Sequence, residues 1–99
     1  MKLLEIAHSR TGDKGDISNI SVIVYNMKDY ELIADKITAT RVKNFFKDIV
    51  HGDVLRYEIP SIGALNFVMH GALGGGVTRS LAIDPHGKTL SQFLLEIDV

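Results

Sequence analysis

Two different apolar rhythms share this chain of 99 residues. In Asn19–Tyr25 (NISVIVY), Ile20, Val22 and Val24 recur at a period of two, the spacing at which strand side chains share a face. After Thr40, the residues Val42, Phe45, Phe46 and Ile49 recur at i, i+3, i+4 and i+7, the stripe of an amphipathic helix. A chain of this length is expected to build one domain around one core, so strands and helices must pack on each other. A two-layer α+β domain, with a mainly antiparallel sheet and helices on one face, meets that requirement.

The remaining segments fit the same plan. Lys2–His8 (KLLEIAH) reads as a first strand, and Ser9–Asn19 (SRTGDKGDISN) as a long, densely charged loop leading to the second. Met27–Ile37 reads as a helix, with Tyr30, Ile33 and Ile37 on one side. The next helix takes Thr40 as its N-cap and stops at Gly52. Val54–Pro60 is a strand whose Leu55, Tyr57 and Ile59 oppose Arg56 and Glu58. Gly63–Leu73 fits two patterns. Ile62, Leu65, Met69, Ala72 and Leu73 suit a helix, whereas Leu65, Phe67 and Met69 suit a strand; the helix is preferred. A strand from about Val77 to Ile83 follows. The final helix starts at Asp84–Pro85 or at the Thr89–Gln92 capping pair, and buries Leu90, Phe93, Leu94 and Ile97.

Composition removes several classes of function. The net charge is −1 and no Lys/Arg run occurs, so neither a nucleic acid nor an anionic membrane is an expected partner. Cysteine is absent, which excludes disulfides, thiolate catalysis and cysteine-held zinc. The opening MKLLEIAH is too short and too charged to be a signal peptide, and no segment approaches the roughly 20 apolar residues of a membrane span. The expected location is the cytoplasm.

Two glycine-rich stretches, Thr11–Asp16 and Gly71–Gly76, are the first candidates for chemistry. Glycine lets backbone N–H groups approach and surround an anion. Arg10 and Lys14 flank the first stretch and Arg79 follows the second, and arginine suits a carboxylate or phosphate. If the stretches meet, they form an anion pocket; on spacing alone, tight turns with surface charges are the better reading. Asp13, Asp16 and His8 do not reproduce an EF-hand spacing, and no metal or cofactor is expected. Asn66 and His70 stand four residues apart in an apolar run, so they share a face in either conformation and should be neighbours. His70 would be a proton carrier, with Asp13 a second candidate and Asn66 orienting a carbonyl. The alternative is a core Asn and His bonded to nearby backbone. No nucleophile-elbow motif marks any serine.

Taken together, the two glycine-rich regions carry a resemblance. RTGDKGDISNISVIVY resembles the R-(S/T)-G-D-K-G segment of the C-terminal domain of AtuA proteins, the acyclic terpene utilisation family. GALNFVMHGALGGGVTRSLAIDPHGK resembles that domain's second signature, and ITATRVKNFFKDIVHGDVLRYEIP fits the stretch between them. The resemblance implies a ferredoxin-like α+β fold over nearly the whole chain. It carries over onto Arg10, Gly12, Asp13, Lys14, Gly15, Asn66, Gly74, Gly75, Gly76 and Arg79. Full-length AtuA proteins have a much larger N-terminal domain, so this chain is expected to be a freestanding small protein. It would pair with a separately encoded AtuA-like large chain, with itself as a homo-oligomer, or with both. The family's association with citronellol and geraniol breakdown, which passes through acyl-CoA intermediates, implies a carboxylate or acyl-CoA ligand. Three readings follow: a small subunit of such a system; a small oligomeric hydratase- or lyase-like enzyme with sites between subunits; and an oligomerisation module without catalysis.

Overall fold

A computed structural model describes residues 1–14, 17–47, 50–71 and 89–99, and for Asp13, Lys14 and Thr89 the backbone course alone. Four strands form one sheet: β1 (Ala7–Lys14), β2 (Ile17–Val24), β3 (Val54–Ile59) and β4 (Ala64–His70). Their order is β1-β2-β4-β3 and every neighbouring pair is antiparallel. The helices α1 (Tyr30–Lys36), α2 (Ala39–Phe45) and α3 (Thr89–Leu94) complete the described elements. This is the α+β architecture that the two apolar rhythms predict.

The charged segment is where the first expectation fails. Ser9–Lys14 is not a loop; it is most of β1, paired residue by residue with β2 from Ala7↔Val24 to Lys14↔Ile17. Only positions 15 and 16 connect the strands, the length of the shortest common hairpin. The strand expected over Lys2–His8 is correspondingly displaced, since Leu3–Glu5 forms a 3-10 turn. Leu3 there is fully buried, and its N–H donates to the Ile97 carbonyl at 2.9 Å. A polar strand is stable here because β2 pairs one edge of its backbone and α3 packs on one face. Ser9 Oγ donates to the Ser91 carbonyl at 2.9 Å, and α3 packs against β1 and β2.

Gly63–Leu73 is also corrected, because its described part is the strand β4. Both of its edges are paired, to β2 and to β3, so its backbone groups are satisfied in the sheet. Leu65, Phe67 and Met69 are buried beside Ile20, Val22 and Val24 of β2. Ile62, required by the helical pattern, is exposed. Gly63 precedes the strand with φ +65, the left-handed conformation that glycine adopts without strain.

The helices cover the face formed by those buried residues. Ile33 of α1, Val42 of α2, and Leu90 and Leu94 of α3 are buried in the core. Thr38, not Thr40, caps α2; it is extended, and its Oγ1 accepts from Arg41 N–H at 3.1 Å. Phe46 is buried, but Phe45 and Phe93, both expected in the core, are exposed. The expected helix stop at Gly52 lies beyond the end of α2. Gly52 instead donates its N–H to the His70 carbonyl at 2.9 Å, and a Cβ there would stand 2.6 Å from that oxygen. Ile49 and the strand expected over 77–83 lie outside the described residues.

Arg56 ties the layers together. It pairs with Phe67 across β3 and β4 and so takes the helix side of the sheet. Its Nη1 donates to the Ala34 carbonyl at 2.6 Å and the Ile37 carbonyl at 3.0 Å, which occupies acceptors left free where α1 ends. The consequence is that the alternate set on β3 faces away from the helices. Leu55, Tyr57 and Ile59 are 44%, 53% and 38% exposed.

Candidate functional site

The open face of the sheet holds several of the candidate residues. Pairing register sets its residues in transverse rows across β1, β2, β4 and β3. His8, Ile23, Ala64 and Ile59 make one row; Arg10, Ser21, Asn66 and Tyr57 make the next. Gly12, Asn19, Val68 and Leu55 make a third; Lys14, Ile17 and His70 hold the positions of a fourth. No Asp or Glu occupies any of these positions; Asp53, just before β3, stands opposite His70 at the end of the fourth row.

Local contacts hold the polar members of this face. Asn66 Nδ2 donates to Ser21 Oγ at 2.8 Å, linking the two central strands. Gly12 stands beside Asn19, where a Cβ would lie 3.1 Å from Asn19 Nδ2; its lack of a side chain makes room for that amide. The His8 ring stacks on Tyr25 with centroids 5.3 Å apart. Arg10 is exposed and forms no ion pair among the described residues.

The sequence-derived site residues are distributed as follows. Arg10, Gly12, Asn66 and His70 share the open face. Asn66 and His70 are not adjacent, as their spacing suggested. Four residues of strand span about 13 Å, and Val68 stands between them. His70 is exposed, its backbone N–H bound to the Asp53 carbonyl at 2.9 Å. Asp13 occupies the register position opposite Ser18, one step out of phase with the row that holds Lys14 and His70. Gly71 has φ +70 and abuts Gly52. Gly15, Gly74, Gly75, Gly76 and Arg79 lie outside the described residues.

Ser21 and Tyr57 are members of the face that sequence reasoning did not single out. Only strand pairing brings them beside Arg10 and Asn66. Elsewhere, a shallow groove of about 400 Å3 is lined by Arg41, Asn44, Phe45, Glu96, Ile97 and Asp98. Its mixed charge gives no preference for an anion. On the helix side, burial raises the Tyr30 phenol above its ordinary pKa; the Glu58 carboxylate adds to this and Arg56 opposes it. Among the described residues, no helix is long and apolar enough to cross a membrane.

Fold and face together define a class: a small α+β domain whose antiparallel sheet is covered by helices on one side and presents an ordered polar and apolar array on the other. The chain belongs to the AtuA ferredoxin-like domain family, whose model matches residues 1–99. No curated protein and no solved structure matches it.

Proposed function

We propose that this chain is a small subunit or accessory domain of an AtuA-like system acting on carboxylate or acyl-CoA-type metabolites. Its open sheet face binds the anionic group of the ligand. The observation that carries this reading is the composition of that face: Arg10, Gly12, Asn66 and His70 share it, and none of the positions in the Arg10 row or the rows beside it is an Asp or Glu. Arg10, with no ion pair among the described residues, keeps its planar fork of donors for an external oxyanion. Asn66, its amide nitrogen engaged by Ser21, retains a carbonyl oxygen for a ligand donor.

Binding is measured by isothermal titration with coenzyme A, an acyl-CoA and the free carboxylic acid, each with the chain alone and with an AtuA-like large chain added. Saturable binding that is weakened at least tenfold by Arg10→Ala supports the proposal. Absence of binding in every combination overturns it, as does binding indifferent to Arg10.

A further inference from the structure

The open face holds apolar surface that an anion site does not use. Leu55, Tyr57 and Ile59 project from β3, and Ile17, Ile23 and Val68 lie half-buried between them and β1. We propose that two copies of this chain stack their open faces about a two-fold axis parallel to the strands, midway between β2 and β4, setting Arg10 of each over Tyr57 of the other. This goes beyond the ligand-binding reading, since it needs no ligand.

The rows select both the occupant and the axis. A two-fold along the strands keeps each row level and reverses its order. Arg10 then meets Tyr57, Ser21 meets Asn66, Gly12 meets Leu55, and His8 meets Ile59. Three of these contacts are complementary: a cation over an aromatic face, a hydroxyl near an amide, and the one face residue without a side chain opposite a leucine; the same operation sets Asn19 over Val68. A two-fold across the strands on the Arg10 row would instead bring β1 over β1 and Arg10 over Arg10, and none of that row's four positions is a carboxylate that could separate the charges. Packed sheets lie about 10 Å apart with strands turned by about 30°. That turn displaces the edge rows by less than the roughly 7 Å between successive outward residues, so Arg10 still meets Tyr57.

Area sets the strength. Four strands at about 4.8 Å spacing and 20–26 Å length give a footprint of roughly 400–500 Å2, below the roughly 800 Å2 per partner of a standard interface. The dimer is therefore weak and dependent on concentration. Arg10 lies on the edge strand β1, at the rim of such a sandwich. A guanidinium stacked through its flat face keeps its in-plane N–H groups free, so dimerisation would fix the anion-binding arginine rather than consume it.

Sedimentation velocity over a wide concentration range reads the monomer–dimer equilibrium directly. The expected result is reversible dimerisation that Leu55→Asp weakens at least tenfold, with the far-ultraviolet spectrum unchanged. The chain has no cysteine, which permits a second, geometric test. In one copy, positions 10 and 57 are three strand spacings apart, about 14 Å, and across stacked faces their backbones stand about 10 Å apart with the side chains directed at each other, so both distances exceed the roughly 7 Å reach of a direct disulfide. A short bis-maleimide, too short to span the distance within one copy, should therefore link the double variant R10C/Y57C into a covalent dimer, whereas R10C alone and Y57C alone should not be linked. A wild-type protein that stays monomeric overturns the proposal, as does a dimer indifferent to Leu55→Asp or a double variant that does not cross-link. A dimer that binds no coenzyme A leaves this inference standing and removes only the ligand reading.

Discussion

Asn66 donates its side-chain amide to Ser21 Oγ at 2.8 Å, a bond between β2 and β4 at the centre of the open face. Its partners pair in the sheet register, so the bond adds to the ladder rather than distorting it. Ser21→Ala removes the acceptor and is expected to cost about 1 kcal/mol in urea unfolding, the net worth of one half-buried hydrogen bond. Ser21→Thr keeps the hydroxyl and should recover most of that loss. Equal losses in the two variants would show that the bond contributes nothing.

The Arg56 guanidinium serves two carbonyls near the end of α1, at Ala34 and Ile37. Bonds to a charged donor contribute about 1.5–3 kcal/mol each at most, and part of this is offset by desolvation. Arg56→Met keeps the apolar stem but leaves both acceptors unpaired. A fall of about 2–3 kcal/mol in unfolding free energy is expected. Arg56→Lys should fall in between, because an ammonium cannot reproduce the fork.

Gly52 is fixed by a close approach and not by its backbone angle. A Cβ would stand 2.6 Å from the His70 carbonyl oxygen and 2.9 Å from its carbon. Backbone cannot yield as a side chain does, so Gly52→Ala must part the segment from the end of β4. Overpacking of this kind costs about 1–3 kcal/mol. Thermal denaturation should show the loss, and hydrogen exchange should show it concentrated at the His70 amide.

Tyr30 holds its hydroxyl buried without a hydrogen-bond partner among the described residues. Its pKa lies above the ordinary 10.0, first through burial and then through Glu58, with Arg56 opposing. A raised pKa means the unfolded chain releases this proton first. The group's stabilising contribution is thus complete below about pH 10 and falls as pH rises toward the folded-state value. Tyr30→Phe should leave stability at neutral pH unchanged or raise it by up to about 1 kcal/mol, and should shallow the alkaline decline. Urea titrations at neutral and alkaline pH, compared between the two proteins, give the answer.

Much of this fold was legible in order along the chain. The β-branched alternation of Asn19–Tyr25 and the stripe of Val42, Phe45, Phe46 and Ile49 are local patterns; the first appears as β2, and the second as α2, which buries Val42 and ends before the buried Phe46 while Phe45 is exposed. The family signature, read from the glycine-rich regions, likewise spans the whole chain. What misled was polarity taken as a sign of irregular structure. Ser9–Lys14 has almost no apolar side chain, yet it lies in a strand because β2 and α3 satisfy it from outside.

The class of fold and the family were legible along the chain, because period and motif are properties of neighbours in sequence. Tertiary structure alone decided that Arg10, Ser21, Asn66 and Tyr57 form one row, and that Leu55, Tyr57 and Ile59 face away from the helices. Strand register depends on partners far apart in sequence, and a one-residue slip would exchange the two faces. Here the choice is held by Arg56, whose bonds to α1 turn the charged side of β3 inward and leave its apolar side open.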